Sequence, residues 1–253
     1  MPCYSNFLVA LAICLLSGCR QQAGRPEVTV AAAANLTDVF QRIGTRFEAE
    51  TGIHPVFSFA STSQLALQIE NLAPFDVFAA ADSEHVEQLD RKGLLLPGSR
   101  AVYARGVLAL WIPPGSAAHV SQIEDLSSAE VRIIAIAKPE LAPYGQAAVE
   151  SLEHLGIWER VKPKVVFAEN INMAKQYGVS NNADVVFTAQ SLVLHEAGKV
   201  IQVDEKLHQP IDQQVGIVAR SEHPDAAKKF AAMLLGKEGN EILAAYGYQT
   251  PGK

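Results

Sequence analysis

The sequence predicts an α/β protein of two lobes, each a mainly parallel sheet flanked by helices. Three observations carry this. Short β-branched runs alternate with segments of helical period, as in strand–helix–strand units. A chain of 253 residues that is 49% apolar and 19% charged fills more than one small core. One extended run, Val102 to Trp111 (VYARGVLALW), is about twice the usual strand length and is followed by Ile112-Pro113-Pro114-Gly115. A strand of that length can pass from one lobe into another.

Along the chain, strands are expected at Val28–Ala32, Val56–Phe59, Asp76–Ala80, Val131–Ala137, Lys164–Phe167, Asp184–Thr188 and Gln214–Ala219. Between the first two, Leu36, Val39, Phe40, Ile43 and Phe47 recur at helical spacing, with Asn35 placed to cap the start and Gly52 beyond the end. Further helices are expected over Leu65–Leu72, Ser83–Lys92, Gln146–Leu155, Pro224–Leu235 and Glu238–Tyr246. With Val102–Trp111 as the outward crossing and Gln214–Ala219 as the return, residues 26–104 plus 217–253 form one lobe and 105–216 the other. Two lobes joined by two crossings enclose a cleft that can close like a hinge.

The N-terminus reads differently. Phe7 to Leu16 is an apolar run too short to span a bilayer, so residues 1–18 are expected to be a signal peptide. Leu16-Ser17-Gly18-Cys19 resembles the bacterial lipobox, which implies a lipid on Cys19 and a tether over residues 19–26. The alternative is an ordinary cleaved leader, since Met1 to Asn6 carries no Lys or Arg. Either reading places the protein outside the cytoplasm, touching the membrane only through that anchor.

Composition excludes several chemistries. The net charge of −6 argues against nucleic-acid binding, which depends on clustered Lys and Arg. All cysteines lie at positions 3, 14 and 19, so the body of the chain offers no disulfide, Cys-ligated metal or Cys nucleophile. Phosphate-loop, dinucleotide, nucleophile-elbow and zinc-protease motifs are missing, so no enzyme activity and no cofactor are expected. The histidines are scattered, and Asp82-Ser83-Glu84-His85 reads as an acidic helix start rather than a metal site.

What remains is a pair of uncharged strand-to-helix junctions, Ala31-Ala32-Ala33-Ala34-Asn35-Leu36-Thr37 and Phe59-Ala60-Ser61-Thr62-Ser63-Gln64-Leu65. A helix start offers unpaired N–H groups and partial positive charge, and small side chains let an anion approach them. Taken singly, each junction is better read as a helix merely capped by Asn35 or Thr62.

Together the motifs say more. AAANLTDVF, FASTSQLALQIE and FDVFAAAD, followed by Lys138-Pro139-Glu140-Leu141-Ala142-Pro143-Tyr144-Gly145, Glu169-Asn170-Ile171 and Ala183-Asp184-Val185-Val186-Phe187, resemble the periplasmic molybdate-binding proteins of ABC transporters, within the type II periplasmic binding fold. The resemblance runs from Val28 to Tyr246. It implies a monomer that holds molybdate or tungstate between the lobes by hydrogen bonds and delivers it to an ABC permease, with sulfate or a small organic anion as the alternative ligand. It also implies contacts from Ala34, Asn35, Ser61 and Thr62 on one lobe and from Tyr144 and Ile171 on the other. The metal would be reached only through its oxygens, with no direct protein ligand. Where some members bring a tyrosine hydroxyl to the ligand, this chain has Phe187. The Tyr144 hydroxyl could replace it, or the Tyr144 ring could pack over the cleft mouth.

Overall fold

The computed structural model describes residues 25–250. The leader, Cys19 and the tether up to residue 24 lie outside them. Strand β1 (Glu27–Ala33) runs through a 3-10 turn (Ala34–Leu36) into α1 (Thr37–Thr51); β2 (His54–Ala60), α2 (Thr62–Glu70), β3 (Val77–Ala79) and α3 (Glu84–Arg91) follow. β4 (Ala101–Gly106) and β5 (Leu108–Ile112) come next, then β6 (Ile134–Ala137), α4 (Pro143–His154), α5 (Trp158–Val161) and β7 (Val165–Ala168). The chain continues with α6 (Ile171–Val179), β8 (Val185–Ala189), α7 (Gln190–Val193) and β9 (Lys199–Gln202), and closes with β10 (Ile211–Ile217), α8 (Pro224–Leu235) and α9 (Lys237–Ala245).

The strands form two sheets with the same plan, β2-β1-β3-β10-β4 and β7-β6-β8-β5-β9. In each, the first three strands are parallel and the last two are antiparallel to their neighbours. Apolar residues make both sheets' interiors, and one buried core runs from Val28 and Phe40 through Tyr103 to Ile136 and Phe187. α1 is anchored by edge-on aromatic packing of Phe40 and Phe47 against Phe230 of α8, with centroids 5.8 and 5.3 Å apart. It ends on Gly52, which takes the left-handed conformation (φ 70°) expected of a C-terminal glycine.

The long run Val102–Trp111 does change lobes, but as two strands: β4 lies in the first sheet and β5 in the second. It breaks at Val107, whose carbonyl leaves the ladder to accept the Gln190 N–H of the second lobe at 2.9 Å. The return differs from expectation. β10 spans Ile211–Ile217, not Gln214–Ala219, and pairs only with β4 and β3. In sheet membership the divisions therefore fall at Val107 and before Ile211 rather than at 105 and 217. The polar start of β10 hid it: Asp212 sits opposite Arg105 on β4 and forms a two-pronged ion pair with it, at 2.6 and 3.1 Å. β9, α5 and α7 were also not expected.

The Asp82–His85 cluster is a local structure in front of α3, as the sequence suggests. Asp82 accepts both the His85 N–H and a His85 ring nitrogen, at 3.0 and 2.7 Å. Among the described residues, no group of His, Cys, Asp and Glu is arranged to hold a metal ion. That hydrogen bond raises the imidazole above its ordinary 6.5, against an opposing effect of burial. Because the folded value is the higher one, the stabilisation is complete below pH 6.5 and is lost as pH rises through the folded value. For a pair this near the surface it amounts to about 1 kcal/mol, or 2–4 °C of melting temperature. His85→Gln is accordingly expected to melt lower than wild type at pH 5.5 and together with it at pH 9, by calorimetry, with ligand affinity unchanged.

Candidate functional site

The carboxyl ends of β1, β2, β6 and β7 all face the cleft between the lobes, and each feeds the start of a helical segment there. The local chemistry of each start is legible. α2 begins after Ser61, an extended N-cap residue (φ −67°, ψ 151°). α4 begins with Pro143, whose fixed φ suits the first helical position and whose missing N–H costs nothing there. α6 begins after Asn170, whose side chain accepts the Met173 N–H at 2.9 Å. Thr62 and Ile171, the first residues of α2 and α6, and Tyr144, the second residue of α4, carry N–H groups that no intrahelical carbonyl can reach. So do Ala34 and Asn35 in the turn before α1.

All six residues expected to bind the ligand line one small pocket with about 10 Å³ of room for the centre of a water-sized molecule: Ala34, Asn35, Ser61 and Thr62 from the first lobe, Tyr144 and Ile171 from the second. The remaining lining, which the sequence reading missed, is Ala33, Ala81, Ala142, Pro143 and Asn170. Not one of these residues is charged. Ser61 is 2% exposed; it forms a loose capping box with Gln64 at the start of α2, and its hydroxyl hydrogen reaches no acceptor. Thr62 Oγ1 accepts the Ala81 N–H at 3.1 Å, which leaves its own hydrogen free to donate. The lobes touch across the mouth, where Ser63 N–H donates to the Leu141 carbonyl and the Gln64 amide to Glu169, both at 3.2 Å. A larger interlobe hollow nearby is lined by Asp82, Glu84, Glu150 and Asp212 and is unsuited to an anion. Another depression surrounds Asp76 on the first lobe, and the buried Asp76 carboxylate is already satisfied there by Thr29 N–H and the Ser221 hydroxyl.

Two side chains behave differently from expectation. The Asn35 amide donates to Gln213 Oε1 at 3.0 Å and to the Tyr248 hydroxyl at 2.9 Å, so both its hydrogens are held inside the protein. The N–H groups of the Ala34–Asn35 turn are what this junction can offer an anion. The Tyr144 ring neither caps the mouth nor lies at the surface. It is buried, and its hydroxyl accepts from Gln213 Nε2 at 2.8 Å. Phe187 is fully buried in the core, as a residue without a donor should be. Burial pushes the hydroxyls of Tyr103, Tyr144 and Tyr248 up from their ordinary value, so all three stay neutral at physiological pH. The arrangement is thus a cavity walled by neutral donors, offering neither cation nor carboxylate.

Known proteins agree with this geometry. The family described as bacterial extracellular solute-binding proteins matches residues 28–249. The molybdate-binding protein ModA of Azotobacter vinelandii is 37% identical over 249 residues, covering 96% of this chain and 97% of the relative. ModA of Rhodobacter capsulatus is 35% identical over 242 residues, 95% of each chain. The solved structure of the Azotobacter vinelandii periplasmic molybdate-binding protein superposes with a TM-score of 0.85 at 31% identity, over 89% of this chain and 100% of that one. Two sheets of one plan, a charge-free cavity between them and similarity over nearly the whole length lead to one conclusion: the chain belongs to the bacterial extracellular solute-binding proteins, as a member of the ModA molybdate-binding family.

Proposed function

We propose that this protein captures molybdate, and tungstate with it, in the cavity between its lobes and presents it to an ABC permease outside the cytoplasm. The observation that carries the reading is the buried Ser61 hydroxyl, whose hydrogen reaches no acceptor, in a cavity lined only by neutral groups. Molybdate, tungstate and sulfate are fully deprotonated dianions near pH 7, so each oxygen accepts and none donates. A donor-only wall suits them. Hydrogen phosphate still carries a proton and is best met by a carboxylate acceptor, which this wall lacks. In this reading Ala34, Asn35, Ser61 and Thr62 bind from one side and Tyr144 and Ile171 from the other, through backbone N–H groups and the two hydroxyls. A ligand touching both lobes binds the closed form better than the open one, and that difference drives closure. Each hydrogen bond to the charged ligand contributes about 1.5–3 kcal/mol, so a handful of them outweighs the costs of association and closure.

The test is a melting series with molybdate, tungstate, sulfate and phosphate, because a ligand that binds only the folded state raises the melting temperature. Molybdate and tungstate are expected to raise it by several degrees and phosphate not at all. A response to sulfate larger than that to molybdate would transfer the site to sulfate, and one to phosphate as large as that to molybdate would sink the donor-only reading. Anchoring through Cys19 is part of the proposal and rests on Leu16-Ser17-Gly18-Cys19 alone. Labelling by a palmitate analogue in cells should be present in wild type and absent in Cys19→Ala; unlabelled, freely soluble wild type would remove the anchor.

A further inference from the structure

Behind the cavity lies a buried polar network that no contact with an anion accounts for. Its centre is Gln213, fully buried in β10 beside the register shift between Gln213 and Gln214. Gln213 Oε1 accepts from Asn35 Nδ2 at 3.0 Å and from the Tyr103 hydroxyl at 2.8 Å, while Gln213 Nε2 donates to the Tyr144 hydroxyl at 2.8 Å. Tyr248 extends the network by donating to the Asn35 carbonyl at 2.9 Å, and the Ser191 hydroxyl lies 3.0 Å from that of Tyr248. Asn35, Tyr103, Gln213 and Tyr248 sit with the first sheet, and Tyr144 and Ser191 with the second.

Two further observations single out Gln213. A primary amide is the uncharged side chain that accepts at one end and donates at the other, and both ends are used here. Next to it, Gly106 ends β4 at the lobe crossing, where an added Cβ would lie 2.1 Å from the Tyr144 hydroxyl and 2.6 Å from Gln213 Nε2. The absence of a side chain at Gly106 makes room for the contact.

We propose that Gln213 is a positioning residue for the oxyanion cavity: with one end it fixes Asn35 of the first lobe and with the other Tyr144 of the second, so the donors of both lobes align as one unit. Gln213 does not line the cavity and acts through the two residues it holds. The proposal rests on the oxyanion reading for its ligand and on the network for its geometry.

The experiment compares wild type, Gln213→Glu, Gln213→Leu, Tyr144→Phe and the Gln213→Leu/Tyr144→Phe double variant by molybdate titration from pH 5.5 to 8.5. Burial raises a carboxyl group's pKa, so Gln213→Glu is protonated at the acid end, where it can accept and donate as the amide does. As a carboxylate it can only accept. Affinity of Gln213→Glu is therefore expected to be within threefold of wild type at pH 5.5 and at least tenfold weaker at pH 8.5, while wild type stays level. Gln213→Leu is expected to bind at least tenfold more weakly at every pH, with the double variant no weaker than the worse single one. A flat profile for Gln213→Glu, or independent effects of Gln213→Leu and Tyr144→Phe, overturns the proposal. If wild type itself fails to bind molybdate, the oxyanion reading falls separately. The same variants are then compared by unfolding, where independent effects on the unfolding constant overturn the bridge and a coupling above threefold upholds it.

Discussion

Ser61→Asp is expected to fold as wild type does and to bind molybdate more than a hundredfold more weakly. The two halves of this result have different causes. Ser61 is the N-cap of α2, and aspartate caps helices as well as serine does, with its negative charge favoured at a helix start. The cost of a carboxylate at a site only 2% exposed is offset by the N–H groups of the helix start, so folding should suffer little. The same carboxylate, however, stands in the cavity proposed for a dianion and takes up the N–H groups that such a ligand would use. Two unit charges 4 Å apart at an effective dielectric of about 20 interact by about 4 kcal/mol, and a hundredfold loss needs only about 2.8 kcal/mol. Thr62→Ala is the milder companion. It removes one hydroxyl donor and the acceptor of the Ala81 N–H, for a loss of about 10- to 150-fold. Calorimetric titration beside a ligand-free melt separates binding from folding; wild-type affinity in Ser61→Asp would place the ligand elsewhere.

Gly145→Ala is expected to lower the melting temperature by about 4–8 °C, although helix propensity alone predicts a gain. Alanine is better than glycine inside a helix by about 1 kcal/mol. Gly145, in the first turn of α4, lies so close to the end of β6 that a Cβ would stand 2.1 Å from the Ala137 carbonyl oxygen and 2.8 Å from its carbon. Backbone cannot rotate out of the way as a side chain can, so α4 must shift. Forced overpacking of this kind costs about 1–3 kcal/mol, at times more, and outweighs the propensity term. At about 2–4 °C per kcal/mol for a chain of this size, a cost near 3 kcal/mol less the propensity gain of about 1 kcal/mol gives the stated drop. Tyr144 and its N–H move with the helix, so molybdate affinity should fall as well. A melting temperature equal to or above that of wild type would show that α4 has slack at this contact.

Elements with a single clear period were legible in the sequence. α8 runs over Pro224–Leu235 as expected, because its apolar spacing, proline start and following glycine agree. α5 and α7, at four residues each, are too short to show a period. β10 was misplaced because its polar first residues are satisfied across strands, Asp212 by Arg105 and Gln213 by Asn35 and Tyr103. The first lobe's half of the cavity was legible as two uncharged helix starts, whereas Tyr144 and Ile171 followed only from the family resemblance. The network behind the cavity was not legible. It joins Asn35 to Tyr248, 213 residues away, and to Gln213, 178 residues away, and a lone glutamine in a strand announces no partner. For the same reason the Asn35 side chain looked like a ligand donor when its hydrogens are engaged elsewhere.

The shared plan of the two sheets has a consequence for release. Each lobe contributes two of the helical starts that face the cavity, and each such end carries about half a positive charge. Four of them amount to about two, the charge of the proposed ligand, divided equally between the lobes. Once the lobes part, a ligand left on either one keeps about one negative charge uncompensated. Opening is then itself the act of discharge: a permease that pries the lobes apart halves the field holding its cargo, with no ion pair to break and no proton to move.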